Sequence, residues 1–567
     1  MTGFRLFACR AMMLIAVTVT ALGAHNMWAQ NVLGSISGNV TDVSGAAISG
    51  AKVTILNTDR NQVVRTVTTN NSGNYAAPTL PLGNYKITVS ASGFGDQVIT
   101  GVVLHVNDAL SVNANLHPGA VQQVVVTADA LAINTENATQ AGLINGTQVR
   151  ELVLSSRNYE QLVGLQPGVA YTGGDQIYIG NSSPNGATNV VNFSVNGSRT
   201  SGNAWTVDGA DNVDRGSNYT LLTYPSVDAI AEFKTLRGTY EAEFGRSASG
   251  QVNVVTRSGT DKFHGTAYEF VRNDIFNAND TLNKLTTSPS GATKATSSRS
   301  LLRYNDFGYT IGGPVWLPKV YDGRKHGTYF FFSQELRRVI TYKPVTLVGV
   351  PSLNERGGIF TQPVCTAANT VQSTGKCTNG GTKTVAVTSP LAQAYLKDIY
   401  SHVGEPDPTT GTLVTPPQRN VFNGNQQIVR IDQQVGQKLN VFFRFIHDSI
   451  PTQEPGGLFQ GTGYPGVNTT NTNAPGKIYL AHATYTLTPS LLLDGGYAYS
   501  YGALLSDPVG LAANANSPDI QPNLPFASTL PRVPGLTFTG GTAIATYGPY
   551  RDYNKNHNIF VNVTKLV

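Results

Sequence analysis

Residues 439–447 read LNVFFRFIH. Successive side chains of a β-strand point to opposite faces, so this stretch would present two different surfaces. One face carries Leu439, Val441, Phe443 and Phe445, and the other carries Asn440, Phe442, Arg444 and Ile446. Because the first face is wholly apolar and the second is mixed, the stretch predicts a strand that separates two different environments.

The same alternation recurs on both sides of this stretch. Residues 427–435 are the expected hairpin partner, with a turn near Gly436, Gln437 and Lys438. Further candidate strands are residues 263–272, 305–313, 328–337, 477–486, 491–501 and 558–565. About eight strands of roughly ten residues each, rich in aromatic side chains, are typical of a membrane β-barrel with tilted strands.

The connections between these strands differ in length. The turn at residues 488–490 is tight, whereas residues 345–426 and 456–476 are long and polar. Short turns on one side and long loops on the other are typical of the periplasmic and extracellular sides of a barrel. The pattern alone leaves a soluble all-β domain open as an alternative.

Composition and charge narrow the class of protein. Charged residues make up 13% of the 567-residue chain, against about 25% in an average soluble domain. The formal net charge of +5 falls by two when Arg5 and Arg10 leave with an export signal, which is too little to indicate nucleic-acid binding. We predict a signal peptide at residues 1–29, with an apolar stretch too short to span a bilayer as a helix.

Residues 31–117 contain short strand candidates separated by turn signals, which predicts a small β-sandwich. The positions that define this unit are Gly38, Val40, Asp42, Gly45, Gly50, Ala51, Gly73, Tyr75, Leu80, Gly83, Tyr85, Gly93 and Phe94. With these residues the unit resembles the carboxypeptidase regulatory-like family. The resemblance implies a transthyretin-type sandwich without zinc or catalytic residues.

Residues 118–258 are of mixed α and β character. Residues 147–154 and 159–165 are predicted helices, and residues 193–195, 205–207 and 251–256 are predicted strands. Five motifs follow in order at residues 196–199, 208–212, 229–234, 240–246 and 250–260, and they read NGSR, DGADN, AIAEFK, YEAEFGR and GQVNVVTRSGT. Together these motifs resemble the plug domain of TonB-dependent receptors.

The resemblance implies the overall architecture and a function. The fold class is mainly β: an N-terminal β-sandwich, an α+β plug (residues 118–258) and the first part of an antiparallel transmembrane β-barrel (residues 259–567). The implied function is energised uptake of an unidentified substrate across the cell outer membrane, with TonB of the inner-membrane complex and outer-membrane lipid as partners. The implied plug-motif residues are Asn196, Gly197, Arg199, Asp208, Gly209, Glu232, Gly245, Arg246, Gly250 and Asn253.

Val124, Val125, Val126 and Thr127 are the candidate contact with TonB. In the resembled family a short extended segment before the plug pairs with TonB by β-strand addition. β-Branched composition favours an extended strand, but it does not distinguish this role from a last sandwich strand or a linker.

Charged residues of the plug motifs are expected to form ion pairs. Arg199, Glu232, Arg246 and Arg257 lie in these motifs, and buried charges must be paired. We therefore predict an ion-pair network within the plug or between the plug and the barrel.

Catalytic and cofactor motifs do not stand out in the sequence. There is no H-E-x-x-H, G-x-S-x-G or Walker motif, so we predict no enzyme, no cofactor and no metal. Asp208, Asp211 and Asp214 lack the spacing of an EF-hand and are interpreted as part of a turn. A non-transporting adhesion or scaffold protein, whose sandwich binds carbohydrate or protein, stays open as an alternative, and a secreted enzyme is a second one.

Two expectations concern the part of the chain after residue 259. Cys365 and Cys377 are separated by residues rich in Thr, Asn, Gly and Ser, and an exported protein crosses an oxidising compartment, so we predict a disulfide. The resembled receptors close with 22 strands, whereas an eight-stranded barrel has no room for a plug. We therefore expect the sequence to be a fragment that ends within the barrel.

Overall fold

The computed structural model describes residues 33–119, 124–127, 138–154, 156–171, 191, 193–218, 220–240, 244–245, 247–279, 299–366, 371, 377–459, 463–488, 490–544 and 548–565. The predicted signal peptide lies outside the described residues.

The first unit is a sandwich of two β-sheets. Its strands are β1 (Gly34–Asp42), β2 (Lys52–Asn57), β3 (Gln62–Thr68), β4 (Asn74–Leu80), β5 (Gly83–Ser90), β6 (Gln97–Leu104), β7 (Ala109–Ser111), β8 (Ala114–Leu116) and β9 (Val124–Thr127). One sheet has the order β4-β1-β7, with β8 also on β1, and the other has the order β3-β2-β5-β6-β9. Alternating side chains such as Ile36, Val53, Ile55 and Ile87 are fully buried between the sheets.

Strand β4 lies at the edge of its sheet. It contains Pro78, and proline within a run weakens a strand prediction because it cannot donate to the ladder. The structure tolerates Pro78 because β4 is an edge strand that pairs with β1 alone.

The second unit, the plug, has a five-stranded sheet in the order β10-β15-β16-β13-β14. The plug elements are β10 (Gln140–Asn145), α1 (Gly146–Glu151), β11 (Val169–Tyr171), β12 (Phe193–Val195), β13 (Ala204–Val207), β14 (Ala210–Asp211), β15 (Ile230–Gly238) and β16 (Gln251–Thr256). Every residue of β16 is buried. The centre of the sheet therefore lies in the interior of the molecule, whereas the edge strand β10 is partly exposed.

The helix predicted at residues 159–165 is confirmed, and it is of the 3₁₀ type. The predicted strand Phe193–Val195 pairs with β11 and not with the next predicted strand, at residues 205–207. The reason is that β13 pairs in parallel with β16 in the central sheet, a long-range contact that local turn chemistry does not predict.

Eight long antiparallel strands form the third unit, the wall. They are β17 (His264–Asn273), β18 (Leu302–Pro314), β21 (Thr328–Lys343), β26 (Gln418–Val435), β27 (Leu439–Ser449), β30 (Gly476–Thr488), β31 (Leu491–Pro508) and β32 (Tyr550–Lys565). Each pairs with the next in this order. Within the described residues, β17 and β32 pair on one side only.

The wall has an apolar outer face and a mixed inner face. On β18 the side chains of Tyr309 and Ile311 are exposed, whereas the intervening Thr310 is buried. On β27 Phe443 is exposed and its neighbour Arg444 is buried. The two faces predicted for residues 439–447, and the hairpin between β26 and β27, are therefore confirmed.

Shorter elements lie in the connections of the wall. They are β19 (Trp316–Leu317), β20 (Tyr321–Asp322), α2 (Gly323–His326), β22 (Thr346–Val348), α3 (Leu353–Arg356), β23 (Ile359–Val364), β24 (Thr382–Thr384), α4 (Pro390–Asp398), β25 (Thr412–Val414), β28 (Thr452–Glu454) and β29 (Thr470–Asn473). Further 3₁₀ helices are Thr200–Gly202, Val227–Ala229, Asp274–Phe276, Thr378–Gly380, Tyr400–His402, Asn514–Asn516 and Gln521–Asn523. In the described part of the chain, no helix has the length and apolar character needed to cross a membrane.

The two ends of the wall are different. At one end β26 and β27, and β30 and β31, are joined by turns of a few residues. At the other end, three long connections pack together around a shared apolar core that includes Leu347, Tyr395, Tyr464 and Ile520. Because outer-membrane barrels have short periplasmic turns and long extracellular loops, the packed loops form an extracellular lid.

Candidate functional site

The plug motif Asp208-Gly209 forms the tight turn between β13 and β14. Both residues have positive φ, 46° and 83°, and Val207 pairs with Ala210 across them. Asn, Asp and Gly are the residues that adopt this backbone conformation most readily in a two-residue turn. The Asp208 carboxylate accepts hydrogen bonds from the backbone N–H and the hydroxyl of Thr256, at 2.9 and 2.7 Å.

The Asp208 carboxylate is also part of a chain of alternating charges that joins all three units. It lies 2.8 Å from the Arg444 guanidinium and 3.4 Å from that of Arg430, both on the inner face of the wall. Arg430 in turn contacts Asp432 at 3.1 Å, and Asp432 contacts Arg60 of the sandwich at 3.2 Å. We call these five residues the charge chain.

A second ionic cluster fixes another side of the plug. Arg157 of the plug pairs with Asp228 of the plug and lies 3.6 Å from Asp306 on β18. Arg337 on β21 contacts Asp306 at 3.0 Å and Glu335 at 3.5 Å. Burial raises the pKa of Asp228, and the Arg157 charge opposes that rise. Plug and wall therefore meet through buried, paired charges.

Near the lid, the plug and the wall approach each other closely. A Cβ on Gly476 would lie 2.0 Å from the carbonyl oxygen of Leu222, and one on Gly502 would lie 2.7 Å from its side chain. The Ser500 hydroxyl donates a hydrogen bond of 2.7 Å to the Asp211 carbonyl. Glycine at these two wall positions leaves room for the plug backbone.

Glu232 of the plug holds the sandwich. Its carboxylate accepts a hydrogen bond of 2.6 Å from the backbone N–H of Val106 and lies 2.7 Å from Nδ1 of His105. The hydrogen bond to Glu232 raises the pKa of His105, while partial burial opposes that rise. Lys234, two residues along β15, pairs with Asp108 at 2.7 Å.

The sandwich also contacts the wall at the end with the short turns. The Arg60 Nε donates a hydrogen bond to the Gly259 carbonyl at 3.2 Å, and its guanidinium lies 5.0 Å from the ring centre of Tyr329. Gln434, at the end of β26, donates a hydrogen bond of 2.9 Å to the Val63 carbonyl. The sandwich therefore lies against the periplasmic mouth of the wall.

The charged motif residues predicted to pair have different surroundings. Arg257 stacks over Phe331 at 5.4 Å and donates to the Asp228 carbonyl oxygen at 3.3 Å. Arg199 is exposed, and Arg246 lies outside the described residues. Glu232 pairs with the sandwich rather than with another plug residue or the wall, so its partner differs from the prediction.

The remaining motif residues shape the plug backbone. Asn196 and Gly197 form a turn with φ of 51° and 73°. A Cβ on Gly250 would lie 2.6 Å from a valine side chain on β12. Gly245 is exposed. Asn253 accepts a hydrogen bond from a β13 threonine and donates one to an asparagine of the sandwich, both at 2.9 Å.

The candidate TonB-contact segment, Val124–Thr127, is strand β9. It pairs in parallel with residues 97–100 of β6, as the last strand of a sandwich sheet. Within the described residues its second edge has no partner strand, and the Val125 side chain is 62% exposed. The segment thus combines a place in the sandwich with an available edge, and its role as a TonB contact stays a prediction.

The lid contains the predicted cysteine pair. Cys365 and Cys377 form a disulfide with their Cα atoms 5.2 Å apart. Across the described chain, no group of three or more His, Cys, Asp or Glu side chains is placed to hold a metal ion.

The sequence pattern does not identify the partners of the charged residues on the inner face of the wall. It places Arg444 on the mixed face of residues 439–447 but indicates no partner for it. A charged residue on the inward face of an alternating strand was the available signal, because a charge in an enclosed interior requires a counter-charge.

A wall with an apolar outer face, packed against a folded domain that it holds through an apolar core and paired charges, is typical of a plugged outer-membrane β-barrel. The family model described as "Outer membrane beta barrel domain" matches residues 255–567. The chain therefore belongs to the outer-membrane β-barrel domain family, and the protein is located in the outer membrane. A second model, the carboxypeptidase regulatory-like domain, matches residues 35–117.

Individual relatives were also found. The chain is 27% identical over 306 residues to the TonB-dependent transporter Oar of Myxococcus xanthus, covering 51% of this chain and 26% of the relative. It thus spans about a quarter of the length of that relative. The outer membrane transporter YddB from Escherichia coli matches at 10% identity and a TM-score of 0.39, covering 65% of this chain and 39% of YddB. A mutant of the ferric enterobactin receptor PfeA from Pseudomonas aeruginosa also matches at 10% identity and a TM-score of 0.39, covering 74% and 45%.

Proposed function

We propose that the protein acts as a TonB-dependent outer-membrane transporter. A substrate too large or too scarce for porin diffusion binds on the extracellular side, TonB engages a periplasmic segment, and the plug rearranges to open a path. Oar, the relative named above, is a TonB-dependent transporter by its name. The chemical class of the substrate is left open.

The charge chain is the observation that carries this proposal. A plug that only filled the wall could be held by apolar packing. Here the plug and the wall share an apolar core that includes Phe233 and Ile428, and in addition Asp208 is held by Arg430 and Arg444. Replacing buried ion pairs by apolar residues is often neutral or stabilising, so buried ion pairs are not the strongest way to hold two units together permanently. They suit a contact that water can replace when the plug moves.

We assign the three units of the proposed transporter to the predicted residue ranges. Residues 31–117 form the sandwich, residues 118–258 the plug and residues 259–567 the wall. Strand β9 belongs to the second range by sequence but pairs with the sandwich sheet. A partner strand added to its free edge would extend that sheet and pull on the sandwich as well as on the plug.

The direct test is binding of the purified C-terminal domain of TonB to the full chain in detergent micelles. We expect Val125→Pro to abolish binding, because proline removes a backbone donor from the strand. Val125→Thr, which keeps the backbone donor and β-branching, should bind like the wild type and is the matched control. Undiminished binding by the proline variant would exclude β9 as the contact.

A second candidate function is surface adhesion. The extracellular lid has an apolar core of its own, with Leu347, Tyr395 and Ile520 among its buried residues, and a folded lid can present a fixed binding surface. Substrate uptake that stops when the proton gradient is collapsed supports transport. Surface binding that is unaffected by both the collapse and Val125→Pro supports adhesion.

A further inference from the structure

A cavity of about 680 Å³ lies where the sandwich, the plug and the wall meet. Its lining includes His105 of the sandwich, Arg150 and Arg257 of the plug, and Phe442 and His482 of the wall. The volume falls within the range of small-molecule sites, and such sites form preferentially at domain interfaces. The cavity is at the periplasmic end, because the sandwich covers the end with the short turns.

The carboxylates of this cavity are already engaged. Asp208 and Asp432 belong to the charge chain, and Glu232 pairs with His105. Asp59 accepts two hydrogen bonds of 2.9 Å from Asn84. Each acidic group therefore has a partner within the protein.

Two arginines of the lining lack such a partner. Among the described residues, neither Arg150 nor Arg257 has a carboxylate within 4 Å. Arg150 lies on α1, where its Nη1 is 3.0 Å from the position of a Cβ on Gly146. Arg257 bonds only a carbonyl oxygen and stacks on an aromatic ring. Burial and then the charge of Arg150 lower the pKa of Arg257, and the charge of Asp228 opposes that lowering.

We propose that Arg150 and Arg257 form a binding site for an oxyanion, a carboxylate or a phosphate, inside this periplasmic cavity. Guanidinium groups bind both anions through paired, charge-assisted hydrogen bonds. A bound anion would place a negative charge beside the two arginines that have no carboxylate within 4 Å among the described residues and would reduce the repulsion between them. The proposed anion site does not depend on the transport function, because both arginines line the cavity without any movement of the plug.

The test is calorimetric titration of the full chain in detergent micelles at low ionic strength, with inorganic phosphate in one series and citrate in another. Loss of a charge-assisted hydrogen bond weakens binding by about tenfold or more. We therefore expect Arg150→Gln and Arg257→Gln each to weaken binding by about tenfold. Arg150→Lys keeps the charge but loses the paired geometry and should fall between Arg150→Gln and the wild type.

Arg551→Gln is the matched control. Arg551 pairs with Asp507 near the extracellular end of β32, away from the cavity, and its loss removes the same charge. Folding of every variant is checked by the emission of Trp205, which is buried in the plug core. A correctly folded variant lacking both cavity arginines that binds the probes as tightly as the wild type would overturn the proposal, as would equal weakening by Arg551→Gln.

The two series also identify the source of the anion. Binding of phosphate alone indicates a phosphate ligand, and binding of citrate alone indicates a carboxylate ligand. No binding of either probe by the wild type at millimolar concentration refutes the site. Val125→Pro, which tests the TonB contact, should leave anion binding unchanged, so failure of the transport proposal and failure of this one can be distinguished.

Discussion

Asp208→Asn tests whether the charge chain holds the plug. Asparagine has nearly the same shape as aspartate and tolerates the left-handed backbone, which Asp208 adopts with φ of 46°. The substitution therefore preserves the turn, removes the negative charge between Arg430 and Arg444, and replaces one of the two acceptor oxygens by an amide donor.

The magnitude follows from the geometry. The side chains of Asp208 and Arg444 are 1% and 0% exposed, with 2.8 Å between the charged atoms. At an effective dielectric constant of about 20 the attraction is about 6 kcal/mol, part of which offsets the cost of desolvation. Removing one partner of such a pair costs about 3–5 kcal/mol, because the other charge is left buried. Arg430 keeps Asp432, whereas Arg444 keeps no carboxylate within 4 Å among the described residues.

The assay is urea unfolding of the plug, followed through Trp205. Trp205 is buried in the plug core, and Trp316 is half exposed at the short-turn end of the wall. In a Trp316→Phe background, with Trp28 lost with the predicted signal peptide, Trp205 is the reporter. For a urea m-value of about 2–3 kcal/mol/M, a loss of about 3 kcal/mol lowers the midpoint by about 1–1.5 M.

Asp214→Asn is the control for this experiment. Asp214 lies in the same segment of the plug and accepts hydrogen bonds from Gly216 and Ser217. It has no cation within 4 Å in the described part of the chain. If Asp208→Asn lowers the urea midpoint no more than Asp214→Asn does, the pairing with Arg444 does not hold the plug and the reasoning is refuted.

Three further predictions address the sandwich, the lid and the contact between the plug and the wall. Glu232 raises the pKa of His105. The contact between His105 and Glu232 therefore gives its full stabilisation at pH values below the unfolded-state pKa of histidine, about 6.5. This stabilisation is lost as the pH rises through the higher folded-state pKa of His105. Amide exchange at Val106, corrected for its intrinsic pH dependence, should therefore accelerate at alkaline pH, and Glu232→Gln should abolish that dependence. Cys365→Ser opens a short disulfide loop and should destabilise the lid by about 2–3 kcal/mol, seen as faster proteolysis of the lid with an unchanged Trp205 transition. Gly476→Ala forces a methyl group against a plug carbonyl and should lower the Trp205 midpoint, whereas no change would show that the plug can shift to accommodate it.

The sequence predicts the wall because its determinants are local. The two faces of residues 439–447 can be derived from side-chain alternation, and the structure places Phe443 outside and Arg444 inside. The hairpin between β26 and β27 follows from a turn of three residues between two such stretches.

The partners of the inward charges could not be predicted in the same way. Asp208 and Arg444 are 236 residues apart, and their contact depends on where the plug lies inside the wall. Local patterns identify a charge that needs a partner but not which distant residue supplies it. For the same reason the parallel pairing of β13 with β16 was not expected, and the pairing of β9 with β6 was left undecided.

The interface between the two sheets of the sandwich and the interface between the plug and the wall differ in chemistry. Inside the sandwich, Ile36, Val53 and Ile87 pack in a dry core, and separating such surfaces costs free energy in proportion to their apolar area. Between the plug and the wall, Asp208 contacts Arg444. Separating these two charges costs less free energy when water hydrates them than when either is left buried without a partner. Under the proposed transport function, a plug with these contacts would be released at lower cost where water reaches the paired charges. Opening should therefore be governed by hydration of the charge chain, and a plug surface repacked with apolar residues should be more stable and harder to move.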